Sequence, residues 1–179
     1  MAEKEEQSGR KILYTAKMHH NEKTVKRMSH MMFNNFIYTR RRITLLVGLA
    51  FLCAGANVVR VREGWGVVLL LLGIFTLYLV DLVPRKVAKQ AMKNFAGNYP
   101  NIHAFVTDTG MFTQLASDEA EFGSLVKLIE DRKYVYIYVN QVTAFMLEKA
   151  TVDGEGGLDG FKRFISEKSG LPWDKPKFL

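Results

Sequence analysis

Two uncharged apolar runs, set almost end to end, constrain this chain more than any other feature. Ile43–Val59 (ITLLVGLAFLCAGANVV) carries no charge over 17 residues. Trp65–Val80 (WGVVLLLLGIFTLYLV) carries none over 16, and Leu82-Val83 extend it past Asp81. A membrane-spanning helix needs about 20 apolar residues, with about 17 the low end. Each run is short alone. In tandem, joined by Arg60–Gly64, they read as a transmembrane helical hairpin over 43–83, with spans at 43–59 and 65–83. Two helices of a soluble bundle would keep a polar stripe, and these have almost none. The first run begins only after 42 residues and a second follows at once, which is not the pattern of a signal peptide.

Charge is distributed around this hairpin. Residues 1–42 are net +6, 43–83 are neutral, 84–104 are net +4 and 105–179 are net −3, giving +7 in all. Lys23, Lys26, Arg27, Arg40, Arg41 and Arg42 precede the first run, and Arg85, Lys86, Lys89 and Lys93 follow the second. The loop between has only Arg60 and Arg62, with Glu63 beside them. The excess of Lys and Arg on the flanks predicts a two-pass protein of the cell membrane with both termini cytoplasmic. Trp65 suits the outer interface. A basic excess confined to membrane flanks points to anionic lipid rather than nucleic acid, each residue contributing about 1 kcal/mol of attraction. The same residues serve as the topology signal.

Outside the hairpin the pattern divides the chain further. Residues 1–9 are a polar, disordered tail. Residues 10–42 read as a strand over 11–18, with Ile12, Tyr14 and Ala16 on one face, then a basic amphipathic helix. Asn21 is its cap, and Val25, Met28, Met32 and Phe36 recur at helical spacing. That helix lies along the inner leaflet or packs on the rest of the chain. Pro84 suits a helix start or junction, and 84–100 read as a second basic amphipathic helix with Val87, Ala91 and Phe95 on one side. Asn98–Asn101 break it. From there the period becomes two. Strands are expected near 102–107, 111–116, 121–130, 134–140 and 143–148, with Asp108-Thr109-Gly110 as a hairpin turn. Tyr134, Tyr136 and Tyr138 alternate with Val135, Ile137 and Val139, so that strand is apolar or aromatic on both faces. After the loop 152–160, a helix over 158–168 carries Leu158, Phe161, Phe164 and Ile165 on one face, and Gly170 and Pro172 stop it. Residues 101–172 thus form a small antiparallel sheet capped by one helix and completed by strand 11–18, with 173–179 a tail.

This order of parts resembles the YcxB-like family of bacterial membrane proteins. The likeness is carried by Phe122 with Ser124, the Tyr134–Tyr138 strand, the Thr143–Leu147 strand with Phe145, and the helix with Phe161 and Phe164. Where members show a Pro-Lys pair after the last strand, this chain has Glu148-Lys149. The resemblance implies an α+β membrane protein: a two-helix transmembrane hairpin with a cytosolic pleckstrin-homology-like antiparallel sheet capped by a C-terminal helix. It brings no biochemical activity.

Motifs that suggest chemistry are few. His19, His20 and His30 invite a metal reading, but adjacent histidines point apart and no Cys or acid sits at ligand spacing. His103 is alone. Asp153, Glu155 and Asp159 fail the EF-hand pattern, since Gly157 falls on ligand position 5 and Phe164 on position 12. A single cysteine, Cys53, excludes a disulfide framework. No Walker A loop, Rossmann fingerprint, HExxH or G-x-S-x-G is present, so neither enzyme nor cofactor is expected. Asp81 stands four residues before Arg85, at the spacing of an interfacial ion pair, with a proton or ion relay the alternative. Gly48, Ala50, Ala54, Gly55, Gly66 and Gly73 are small residues for helix packing, within the hairpin or between protomers. The basic residues Arg40, Arg41, Arg42, Arg85, Lys86, Lys89 and Lys93 are expected to face lipid. The functional expectation is a non-catalytic interaction module held at the inner leaflet, binding a protein or peptide partner or forming a homo-oligomer. An anionic-lipid headgroup sensor and an accessory subunit of a transport complex are the alternatives.

Overall fold

A computed structural model of the chain describes residues 11–61, 64–94 and 99–177. The tail expected over 1–9 lies outside them, as do Arg62, Glu63 and Phe95. The chain is α+β and divides into two compact units. One combines the N-terminal residues through Asn21 with Asn98–Pro176, and the other spans Glu22–Gly97.

The helical unit holds α1 (Glu22–Phe36), α2 (Tyr38–Arg60) and α3 (Trp65–Asn94). Both α2 and α3 are long and apolar enough to cross a membrane. They lie against each other as a hairpin, and α1 packs on α3. Four buried glycines form the α2–α3 seam. A Cβ at Gly48 would meet the carbonyl oxygen of Gly73 at 3.4 Å, and one at Gly55 would meet that of Gly66 at 2.9 Å. Each glycine also faces a larger residue of the other helix: Gly48 meets Leu77, Gly55 meets Leu70, Gly66 meets Val59 and Gly73 meets Leu52. Paired glycines thus have numbers summing to 121, and glycine–large pairs sum to 125. This is one antiparallel register repeated every seven residues. Ala50 and Ala54 do not join the seam. At about 100° per residue they fall on the far side of α2, and both are exposed.

The expected helix start at Pro84 is not where a helix starts. α3 runs through Pro84 without a break for 30 residues. Proline removes only its own N–H, which leaves the Val80 carbonyl without its usual partner. Pro84 falls seven residues after Leu77 and is buried, as is Ala88 one turn on. Packing on that side therefore holds the helix together across the missing bond. In α1 the helix and its start are as expected, but its buried positions are Thr24, Val25, Ser29, Met31, Phe33 and Asn35. Met28, Met32 and Phe36 are only half-buried.

The strand-rich unit begins with β1 (Tyr14–His19). It continues after the helices with β2 (Asn101–Val106), β3 (Gly110–Thr113) and β4 (Ala116–Glu121). Then come β5 (Lys127–Glu130), β6 (Tyr134–Tyr138), β7 (Ala144–Glu148) and the short β8 (Asp153–Gly154). α4 (Gly157–Ser169) and the short β9 (Trp173–Asp174) complete it. One sheet has the order β4-β3-β2-β1-β8 and the other β7-β6-β5-β9. All pairings are antiparallel except β5 with β9. β1 pairs with β2 over six residues, from Tyr14 opposite Val106 to His19 opposite Asn101.

Tyr14, Ala16 and Met18 of β1 share the core with Val106, Met111, Leu128, Val135, Ile137 and Leu147 from both sheets, and with Phe161 and Ile165 of α4. Tyr14 meets the Phe161 ring edge-on at 5.6 Å. β6 is buried on both faces, as its composition predicts. The strand expected at 121–130 is β5 only over its last four residues, and β4 lies before it where no strand was expected. β4 ends at Glu121, a 3-10 turn spans Phe122–Ser124, and β5 starts at Lys127. The stretch expected as a loop, 152–160, contains β8 and the first turn of α4. The stretch expected as a tail contains β9.

Candidate functional site

The most elaborated surface of the strand-rich unit lies where β5, α4 and β9 meet. α4 ends on Gly170, whose backbone sits in the left-handed region (φ 69°) and whose N–H donates to the Ser166 carbonyl at 2.9 Å. Glycine adopts that conformation without a Cβ clash. The Ser166 hydroxyl then donates to the Leu171 carbonyl at 2.6 Å, and the Leu171 N–H donates to the Ser169 hydroxyl at 3.3 Å. These bonds fold the chain back along α4. Trp173 and Asp174 pair in parallel with Leu128 and Ile129 of β5.

Three side-chain contacts fix that segment. The Trp173 indole N–H donates to the Lys162 carbonyl at 2.9 Å. The Lys162 ammonium stands 5.9 Å from the Trp173 ring centre, a cation–π distance. Asp174 pairs with Lys127 at 3.4 Å. Lys162 also pairs with Glu130, which holds Lys149 on its other oxygen. Partial burial pushes the Glu130 carboxyl up, but the hydrogen bonds from Lys149 and Lys162 outweigh it and hold its pKa below the usual value. Sequence reading missed this group because 173–179 looked like a polar tail. The available signal was Trp173, a large aromatic side chain that a mobile tail would have to expose.

The expected basic residues are divided by the structure. Arg85, Lys86, Lys89 and Lys93 are exposed. At helical spacing they share one side of α3 with Tyr78 and Leu82, a row that exists only because the helix continues through Pro84. Leu77, Tyr78, Leu82, Arg85, Lys86 and Lys89 line an open cleft of about 470 Å³, apolar at one end and cationic at the other. Arg42 is exposed, whereas Arg41 is half-buried and its Nη1 donates to the Asn34 side-chain oxygen. Arg41 also lines a second cavity of about 400 Å³ with Ile37, Thr44, Val80 and Pro84. The side chains of Arg40 and Asp81 lie outside the described residues, and the expected Asp81–Arg85 pair with them. The four glycines meet within the hairpin, as described above.

Among the described residues, no group of three or more His, Cys, Asp or Glu is placed to hold a metal ion. His19 is exposed and His20 half-buried. Burial disfavours the charged imidazole of His20 and lowers its pKa from 6.5. Cys53 is exposed on α2. Comparison of the chain with family models, with characterised proteins and with solved structures yields no match.

Proposed function

We propose that this chain is a non-catalytic, two-pass integral membrane protein that presents a pleckstrin-homology-like interaction module on the cytoplasmic face and binds a protein or peptide there. One observation carries the reading. β1 precedes the helical hairpin and β2 follows it, yet the two pair over six residues. Strands in one sheet occupy one compartment, so the hairpin between them crosses the bilayer an even number of times. The apolar side chains that α2 and α3 leave exposed, such as Leu46 at 59% and Leu71 at 62%, exceed what a soluble surface carries and suit hydrocarbon. The Lys and Arg excess on both flanks favours the cytoplasm for the module. Two antiparallel meanders followed by a helix support the pleckstrin-homology-like reading, as does the resemblance to the YcxB-like family.

Impermeant maleimide labelling of intact cells tests the topology. In a Cys53→Ser background, Gly64→Cys is expected to label from outside. Lys11→Cys and Asp153→Cys are expected to label only after the membrane is opened. Different behaviour of positions 11 and 153 would sink the two-pass arrangement. Purification in mild detergent with mass spectrometry of proteins and lipids tests the module: a protein recovered in stoichiometric amount is the expected result.

The cleft beside Arg85, Lys86 and Lys89 favours a second reading, in which the protein senses anionic lipid. Acyl chains would lie against Leu77 and Leu82, with a phosphate at the cationic end. On this reading only anionic lipid is recovered, and it is lost when Arg85, Lys86 and Lys89 are changed together to Gln.

A further inference from the structure

Strand β5 has β6 on one side, and its other edge is covered by β9 alone. β9 is only two residues long and parallel, while the other pairings of its sheet, β5–β6 and β6–β7, run over four and five residues. Its ion pair is partly in water, with the Asp174 side chain 49% exposed, so it contributes little. The backbone pairings and the ion pair thus supply little of what holds the segment. Its anchor, by contrast, is a tryptophan whose N–H, ring face and backbone each have a partner, which is how a docked peptide is held. Opening leaves an unpaired strand edge flanked by Lys127 and Lys162, a template for a new strand.

We infer that the groove between β5 and α4 is a peptide-docking site that residues 171–175 occupy in cis, and that its ligand is an extended segment of a partner protein carrying an aromatic residue followed directly by an acidic one. The inference rests on the interaction-module reading and specifies where that module binds. The cis segment states the ligand's chemistry. The aromatic ring lies on α4 against Lys162, the acid meets Lys127, and the backbone between them pairs with Leu128 and Ile129. The chain's own tail competes, so partners that bind less well than the tail are rejected.

The test uses a labelled peptide of residues 170–177 (GLPWDKPK) titrated against the protein in nanodiscs. Two proteins have the groove vacated: one ends after Gly170, and the other is the full chain with Trp173→Ala and Asp174→Lys. Saturable binding to the vacated proteins is expected, at least about tenfold tighter than to the intact chain. A peptide with Ala in place of Trp173 is expected to bind about 30-fold more weakly, as for a central aromatic anchor. Equal binding to intact and vacated proteins would overturn the inference, as would no binding to vacated protein that still unfolds cooperatively. Unfolding of both vacated proteins would also overturn it, since the tail would then be a fixed strand. A partner that co-purifies equally with the intact chain and the Trp173→Ala/Asp174→Lys chain leaves the module reading standing and places its contact elsewhere.

Discussion

Asp131 shows how much one side chain can hold in the strand-rich unit. It sits in the β5–β6 turn, 7% exposed. One carboxylate oxygen accepts from the Lys133 and Tyr134 N–H groups at 2.7 and 2.8 Å, and the other accepts from the Tyr136 hydroxyl at 2.9 Å. Asp131→Ala strands these donors, one of them on a fully buried tyrosine. It is expected to cost about 2–4 kcal/mol, measured by denaturant unfolding. Tyr136→Phe removes one donor and is expected to cost about 1 kcal/mol, less than additively with Asp131→Ala. The turn itself was legible as the gap between the strands expected near 121–130 and 134–140. The carboxylate's second role was not, because Tyr136 is five residues away and reaches it only once the strands have paired. Glu130 supplies a pH dependence. Its pKa is lowered in the folded chain, so its stabilisation is fully present above the unfolded value of 4.5 and is lost as pH falls through the lower folded value. Glu130→Gln is expected to flatten the acid limb of a stability–pH curve. The effect stays within about 1 kcal/mol because water screens the group. An unchanged acid limb would show that the Lys149 and Lys162 contacts do not hold the carboxylate.

The glycine seam gives the sharpest element-scale expectation. A Cβ at Gly66 would lie 2.5 Å from the Val59 backbone nitrogen. Backbone cannot yield as a flexible side chain can. Gly66→Leu is expected to lower hairpin stability by about 1–3 kcal/mol in detergent unfolding titrations. Ala50→Leu, on the exposed side, is expected to change it by no more than about 0.5 kcal/mol. The two helices were legible because their composition is extreme, and the glycine spacing was legible because seven residues is two turns. Which small residues meet was not legible, since the antiparallel register that pairs 48 with 73 appears only in three dimensions. The continuity of α3 was hidden for a similar reason. Proline is a strong local signal, and burial of Pro84 and Ala88 overrides it. β4 was missed because Ala116–Glu121 (ASDEAE) is an edge strand. With little to bury, it shows no apolar alternation. The same logic hid β9.

At the scale of the whole molecule, the strand-rich unit is interrupted by the hairpin at one point of the sheet. His19 and Asn101 face each other across β1 and β2, so the chain leaves and re-enters at neighbouring positions. Replacing residues 20–100 by Asn-Gly would join β1 to β2 through a two-residue turn of the kind antiparallel strands favour. The shortened protein is expected to fold, with one cooperative thermal transition and near-ultraviolet circular dichroism from the packed tyrosines. Non-cooperative melting would show that the sheets depend on the helical unit for more than connection.

The position of that interruption also orders events during synthesis. β1 leaves the ribosome early, and its partner β2 lies 82 residues later. At roughly 5–20 residues per second β1 waits several seconds with both edges unpaired. Every residue of the hairpin is made in that interval. The strand-rich unit therefore cannot complete its β1–β2 pairing before the helical unit has been made. Closure of the sheet is thus a late event, one that cannot occur until both long helices have been made.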